Sequence, residues 1–191
     1  MSIVEQIQKV SEDGILPDGD HINIPIIMWL EDLIKKEKDT PKENVLICTV
    51  GLPRSGKSTF CKNFIHNTPI VCPDSVRLAM HGQRFIAEAE PFVWATVKVM
   101  IKALFRAGHG LVVFDAVNTV ADLRKNMRSS EYRSVYKVVR EDPEICKQRA
   151  IADDMEDLVP VIDRMSEYWD DLTEDEVAYE DWLDEKETNK K

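Results

Sequence analysis

The sequence predicts an α/β sandwich, a short parallel sheet flanked by helices and preceded by extra N-terminal helices. Three observations carry that reading. Short unbroken apolar runs, "VLICTV" at 45–50 and "GLVVFDA" at 110–116, suit strands buried on both faces. Helical segments alternate with such runs along the chain. A glycine-rich turn leads from the first run directly into a helix. At 191 residues and 43 % apolar, the chain is long enough for one well-buried core.

Taken in order, "SIVEQIQKVSE" reads as an amphipathic helix, and Gly14, Pro17, Asp18 and Gly19 form a loop after it. "NIPIIMWLEDLIKKEK" is a second helix, with Ile26, Trp29, Leu30, Leu33 and Ile34 on one stripe and lysines near its end, where they complement the helix dipole. "DTPKEN" links to the first strand, 45–50, and "KSTFCKNFI" continues as a helix. "PIVC" at 69–72 is a second strand, expected beside the first. "DSVRLAM" forms a helical turn capped by Asp74 or Ser75. A long helix from Glu90 ends at Gly108, and the third strand, 110–116, ends on a carboxylate. Residues 119–129 are helical and basic, "SVYKVV" at 134–139 is a fourth strand, and Pro143 opens a helix in the favoured first-turn position. A further helix covers about 158–170, and "VAYEDWL" is a candidate edge strand or docked segment. The expected organisation is a helical extension over 1–43, a core domain over 44–176 and an acidic tail over 177–191.

Charge is unevenly spread. The formal net charge is -10, made of -5 over residues 1–50, +7 over 51–150 and -12 over 151–191. A basic middle suits phosphate chemistry, for which ATP alone is sufficient reason, and also suits nucleic acid. With no apolar run of membrane-spanning length and no signal-peptide pattern at the start, we expect a soluble intracellular protein without a membrane partner. Cys48, Cys61, Cys72 and Cys146 have no metal-ligand spacing and read as reduced thiols in or near the core.

"GLPRSGKSTFC" from Gly51 to Cys61 carries the strongest signal. A glycine, four residues and then Gly-Lys-Ser, placed between strand and helix, is a phosphate-binding loop. Gly51 and Gly56 permit turns that aim backbone N–H groups of Leu52, Pro53's neighbours Arg54 and Ser55, and the helix start at a phosphate. Lys57 reaches the β- and γ-phosphates, Ser58 offers its hydroxyl to Mg²⁺, and Thr59 lies near the α-phosphate. Two carboxylates follow. Asp115, at the end of the third strand, either holds the Mg²⁺ shell or the loop hydroxyl, or only caps the following turn. Asp74 and Arg77, one helical turn apart beyond the second strand, are a base for an attacking hydroxyl and a phosphate grip, or else a cap and a surface arginine. The Asn-Lys-x-Asp guanine signature of switch GTPases does not occur.

The succession "GLPRSGKSTF", "PDSVR", "FDAVN", "PEICKQRA" and "VPVIDRM" resembles the kinase domain of phage-type polynucleotide kinases and related small P-loop kinases, over about residues 44–176. That resemblance implies a three-layer P-loop kinase sandwich using ATP and Mg²⁺. It implies Asp74 as general base, Arg77 on the acceptor-side phosphate, Asp115 as organiser of the site and Arg149 as an arginine of the helix that closes over the nucleotide. The chain departs from the family where a second lid arginine often stands, since "RAIADDMEDLVP" places Asp153 there. Arg54, a basic residue of the 119–128 helix, or nothing replaces it. Acceptor candidates are Arg77, Arg84 in "HGQRF", Asn118 in "FDAVN", and Arg124 and Arg128 in "DLRKNMR", which are one turn apart and able to follow a phosphate backbone or merely to be solvated. Phe85, Phe92 and Trp94 are expected in the core rather than stacked on a base. The expected reaction is transfer of the ATP γ-phosphate to a nucleic-acid hydroxyl, most simply a 5′-hydroxyl end and on DNA rather than RNA. Its rivals are kinases of a modified base such as 5-hydroxymethyluracil in phage DNA, which fits a phage-encoded protein in an infected cell, kinases of nucleosides or other small molecules, and a non-catalytic ATP-binding protein.

Overall fold

The computed structural model describes residues 43–64 and 68–188, and the helices expected within 1–43 lie outside the described residues. Residues from Glu43 onward form one compact unit. Its centre is β1 (Val45–Val50), buried at every position. Parallel neighbours lie on both sides, β3 (Leu111–Phe114) and β4 (Arg133–Val138), in registers Cys48↔Phe114 and Val50↔Val138. Outside them pair β2 (Ile70–Val71) and β5 (Val177–Ala178), giving the order β2-β3-β1-β4-β5 with all strands parallel. The α/β P-loop kinase sandwich is therefore the observed fold.

Two local expectations are corrected. β2 lies beside β3, not beside β1, because the chain crosses over to the far side before returning through β3. Both strands still end at the same sheet edge, so residues after β2 and β3 remain at the mouth of β1. The helix after β2, α2 (Pro73–His81), follows α1 (Lys57–Phe64) and begins one residue before "DSVRLAM". Pro73 occupies its first turn and Cys72 is the N-cap, so neither Asp74 nor Ser75 caps it and both carry exposed side chains. It stops at Gly82, whose φ of 71° permits the left-handed turn in which its N–H meets the Leu78 carbonyl.

A long α3 (Glu90–Arg106) buries Val93, Val97, Ile101 and Phe105 against the sheet face that carries Leu46, Cys48, Val112, Phe114 and Tyr136. The spacing puts all four on one face. The opposite face buries Ile47, Val113 and Val135 with Cys61 of α1. Next come the short α4 (Ala121–Asn126), α5 (Pro143–Ala152) and α6 (Val159–Glu167). The Asp142 side chain caps α5 by accepting the Glu144 N–H at 2.7 Å. β5 is the edge strand foreseen within "VAYEDWL", and α7 (Tyr179–Thr188) continues from it, placing Tyr179 edge-on to Phe60. The sheet thus runs into residues that composition alone assigns to the tail. Of the four free cysteines, Cys48, Cys61 and Cys146 are buried and Cys72 is half-buried.

Candidate active site

The loop from Gly51 to Gly56 leaves β1 at the sheet's carboxyl edge, where the chain has passed to one side of β1 for β2 and β3 and to the other for β4 and β5. Open α/β sheets bind ligands at such a switch point. Only glycine fits at 51: a Cβ there would lie 2.6 Å from the Val139 carbonyl oxygen and 2.7 Å from Ser55 Oγ. Gly56 has a φ of 105°. Leu52 is buried with Cys146, Ala150 and Ile162, so an apolar contact fixes the loop against α5 and α6.

Lys57 is 7 % exposed and its Nζ donates to the Leu52 carbonyl at 2.6 Å. Burial pushes its ammonium below the ordinary lysine value, opposed by the charge of Asp115. Ser58 Oγ donates to Asp115 Oδ2 at 2.7 Å, so the phosphate-loop hydroxyl is a partner of this carboxylate. Thr49, fully buried at the end of an otherwise apolar strand, completes the support: its hydroxyl lies 3.2 Å from Asp115 Oδ1 and accepts the Ala116 N–H at 3.1 Å. The sequence reading missed Thr49, and the one polar residue in "VLICTV" was the signal for it. Thr59 is exposed in the first turn of α1. The cradle at Gly51, the buried lysine and the hydroxyl–carboxylate pair fit a nucleotide triphosphate with Mg²⁺, a cation that is commonly held by one or two protein oxygens together with phosphates.

Facing this loop from α2, Asp74 is exposed and close enough to Lys57 to act on its charge. Arg77 donates to Asp74 at 2.5 Å, but its principal partner is Glu90 at the start of α3, engaged through Nε at 2.7 Å and through the second terminal nitrogen at 2.8 Å. This fork holds the Glu90 carboxyl below its usual range. Trp94 Nε1 donates to the same carboxylate at 3.1 Å. Glu90 was visible in the sequence only as a helix-start acid. Arg84, beyond α2, pairs at 3.0 Å with Asp157 after α5, linking the α2–α3 connection to the α5–α6 connection. Phe85 and Phe92, expected in the core, are 63 % and 67 % exposed, whereas Trp94 is half-buried against the core. On α5, Arg149 donates to the Arg54 carbonyl at 3.1 Å and to Glu141 at 2.7 Å. Arg54 itself, at φ 65°, pairs with Asp153.

Two acceptor candidates are corrected. Arg124 is fully buried and cannot follow a phosphate backbone. Its guanidinium forks onto Glu176 at 2.9 Å and donates to the carbonyls of Asn118, Thr119, Asp170 and Asp171. Asn118 is 3 % exposed, and its Nδ2 donates to the Thr49 carbonyl at 2.8 Å, so it braces β1 and offers nothing to an acceptor. With Arg124 turned inward, the basic helix surface dissolves, and Arg128 is itself engaged by Asp175 and Glu176.

A parallel sheet with a phosphate loop at its switch point, a strand-end carboxylate bonded to the loop hydroxyl and an arginine-bearing helix against the loop define a P-loop kinase. Residues 46–152, more than half the chain, match the AAA_33 family model, described as an AAA domain, and the chain belongs to that family. Among solved structures, it resembles one titled a Pnkp1/Rnl/Hen1 complex at 25 % identity and TM-score 0.52, covering 58 % of this chain and 40 % of that one. A second, titled a Pnkp1/Rnl/Hen1 RNA repair complex, matches at 22 % identity and TM-score 0.53, covering 70 % and 49 %. A sugar kinase from Janibacter sp. HTCC2649 matches at 14 % identity and TM-score 0.51, covering 71 % and 83 %. The chain therefore spans less than half the length of the first two. No curated protein sequence matches. The resemblance to polynucleotide kinases and small P-loop kinases stands, and fold and neighbours support a phosphotransferase. Among the described residues, no helix is long and apolar enough to cross a membrane.

Proposed function

We propose that the protein transfers the γ-phosphate of ATP, with Mg²⁺, to a hydroxyl of a nucleic acid, most simply a 5′-hydroxyl end. One observation carries the reading: an exposed carboxylate, Asp74, stands beside an arginine that Glu90 holds in place, across from a buried phosphate-loop lysine. The loop residues 51–59 and Lys57 would hold the phosphates, and Ser58 and Asp115 would hold Mg²⁺. The metal, when bound, neutralises charge on the transferring phosphoryl group. Asp74 takes the proton from the attacking hydroxyl, which its exposure leaves accessible to an incoming acceptor. Arg77, fixed on its far side by Glu90, presents remaining donor capacity to an acceptor phosphate. Arg149 acts on the nucleotide side. Exposed Phe85 and Phe92 supply flat apolar surface on the α2–α3 side, suited to stacking bases. The Pnkp1-containing structures add weight, since a polynucleotide kinase sits among the neighbours.

A small-molecule acceptor is the second reading, and one observation favours it: the sugar kinase is covered over 83 % of its length, far more than the Pnkp1-containing chains. The test is transfer of label from γ-labelled ATP to 5′-hydroxyl DNA, 5′-hydroxyl RNA, end-blocked DNA containing 5-hydroxymethyluracil, and a mixture of nucleosides and sugars. Label on an oligonucleotide end, abolished by Lys57→Ala and by Asp74→Ala, supports the proposal and decides DNA against RNA. Label confined to small molecules overturns it in favour of the second reading, and ATP binding without transfer to any acceptor leaves a binding protein.

A further inference from the structure

The lid helix α5 carries Arg149 but presents an acid, Asp153, one turn later, at its C-cap. A triphosphate brings several negative charges to the loop, and an acid at this C-cap adds to them, so further positive charge is needed there. Arg54 is the group within reach. It stands in the middle of the phosphate loop in the left-handed region, which a residue with a Cβ enters only at some strain. Its carbonyl is gripped by Arg149, so the loop is fixed at this residue from the lid side. Its guanidinium is paired with Asp153, yet its Nε is buried and has no hydrogen-bond partner. A buried donor left unsatisfied is unfavourable, and a ligand oxygen arriving at the loop would relieve that cost.

The pairing follows a pattern. Lys57 is held by the Leu52 carbonyl, Arg149 by Glu141 and Arg54 by Asp153. Three cations at one phosphate loop are each engaged by an oxygen of the protein, two of them carboxylate oxygens. Asp153 sits 46 % exposed at the C-cap of α5, so its carboxylate can leave Arg54 for water without disturbing a core. Arg54 at 33 % exposed is half-enclosed by the loop and the lid.

We propose that Arg54 is a side-chain ligand of the nucleotide polyphosphate, and that Asp153 competes with the phosphates for it. Resting on the nucleotide-kinase reading above, the inference adds a residue whose side chain no motif assigns, since residues of such a loop act mainly through backbone N–H groups. Asp153 sets affinity through Arg54: it holds the guanidinium when the loop is empty and yields it when ATP arrives.

The experiment is a double-mutant cycle read by the dissociation constant of ATP with Mg²⁺, measured calorimetrically on the full chain. Arg54→Gln should weaken ATP about tenfold, the loss of one charge-assisted bond. Asp153→Asn should tighten ATP by about threefold to tenfold by removing the competitor. In the Arg54→Gln background Asp153→Asn should change affinity less than about twofold, because its effect runs through Arg54. A general repulsion between Asp153 and the phosphates would instead give the same tightening in both backgrounds, which overturns the inference, as does an Asp153→Asn protein that binds no tighter than wild type. Arg54→Lys, which keeps the charge in the loop, should recover part of the lost affinity, and no recovery counts against the charge role. If the wild-type protein binds no ATP while its melting curve remains cooperative, the nucleotide reading falls and this inference falls with it. ATP binding that depends on Lys57 but is indifferent to both substitutions removes only the role of Arg54.

Discussion

The two sides of the cleft are built differently. On the nucleotide side, Lys57 and Asp115 are each 7 % exposed, Thr49 is fully buried, and the Asp115 carboxylate receives hydroxyl groups from β1 and from α1. On the side proposed for the acceptor, the Asp74 side chain is 79 % exposed, Phe85 and Phe92 face solvent, and Arg77 is well enclosed, gripped by Glu90. A phosphate loop works by rigid preorganised dipoles, which water would weaken, so its parts belong to the sheet core. An acceptor has to enter and leave, which suits the proposed base Asp74 on an exposed helix beside a single anchored arginine. The difference teaches that damage to the first side should reach the fold and nucleotide binding, whereas damage to the second should spare both and strike turnover.

The largest effect expected is on that second side. Asp74→Ala should lower kcat by about 10²–10⁴-fold, the range of a lost general base, while the ATP dissociation constant stays within a factor of a few. Steady-state transfer and calorimetry on the same preparation check it, and near-normal turnover would break the contrast.

On the first side the sharpest test lies behind the loop. Arg124→Ala leaves buried Glu176 without the partner that forks onto it, Arg128 and the Thr173 N–H remaining, and frees the carbonyls of Asn118 and Thr119, next to the Val117 carbonyl that accepts the Gly51 N–H. Breaking a buried ion pair from one side costs about 3–5 kcal/mol, measurable by urea unfolding. The pH dependence has a definite sign. Burial pushes the Glu176 carboxyl up, but the Arg124 hydrogen bonds, the Thr173 N–H and Arg128 together outweigh it and hold the folded carboxyl below the ordinary 4.5. The pair's stabilisation is thus complete above 4.5 and is lost as pH falls through the lower folded value. In Arg124→Ala the Thr173 N–H and Arg128 remain but the Arg124 share of that depression is lost, so the deficit relative to wild type should shrink as the pH is lowered toward 4. A constant deficit would mean that Arg124 stabilises through packing alone.

Arg124 also marks where the sequence stops being legible. The order of strands and helices, the phosphate loop and the carboxylates of β3 and α2 were readable because each is local: a run, a spacing, a strand end. Asn118 and Arg124 were misread because their partners, Thr49 at one end of the chain and Glu176 at the other, are set by the fold. An "RKNMR" helix looks solvated in sequence, and nothing in its own residues says that one arginine will meet a ring of carbonyls and a carboxylate 52 residues on. The same holds for Arg77, whose anchor Glu90 is brought to it by the packing of α2 on α3, and for the adjacency of β2 to β3, which no strand encodes alone. Phe85 and Phe92 failed for the opposite reason, because apolar spacing suggests burial but cannot name the occupant of a face.

Those two aromatics give the next effect in size. If they stack acceptor bases, Phe85→Ala and Phe92→Ala should each weaken oligonucleotide binding by about 1–3 kcal/mol while leaving ATP binding and the melting temperature unchanged. Electrophoretic or fluorescence titration with single-stranded DNA and RNA measures it. An effect on stability without one on binding would assign them to the fold and move weight toward the small-molecule acceptor.

The smallest effect concerns Arg84, which touches both sides, since it rises from the α2–α3 connection and meets Asp157 beyond α5. Both partners are more than half exposed, and such pairs contribute about 0–1 kcal/mol, so Arg84→Ala should barely move the unfolding midpoint. Its kinetic signature is the informative part. As an acceptor ligand, Arg84 would give a raised KM for oligonucleotide that Asp157→Asn does not reproduce, because the acid would be only a resting partner. As a strut between the acceptor connection and the lid, it would give equal changes in both variants and none in the double variant beyond either single one. The exposure of the pair and the absence of any second partner for Asp157 among the hydrogen bonds of the described residues favour the ligand role, and the raised KM should fade as salt screens the phosphate contact.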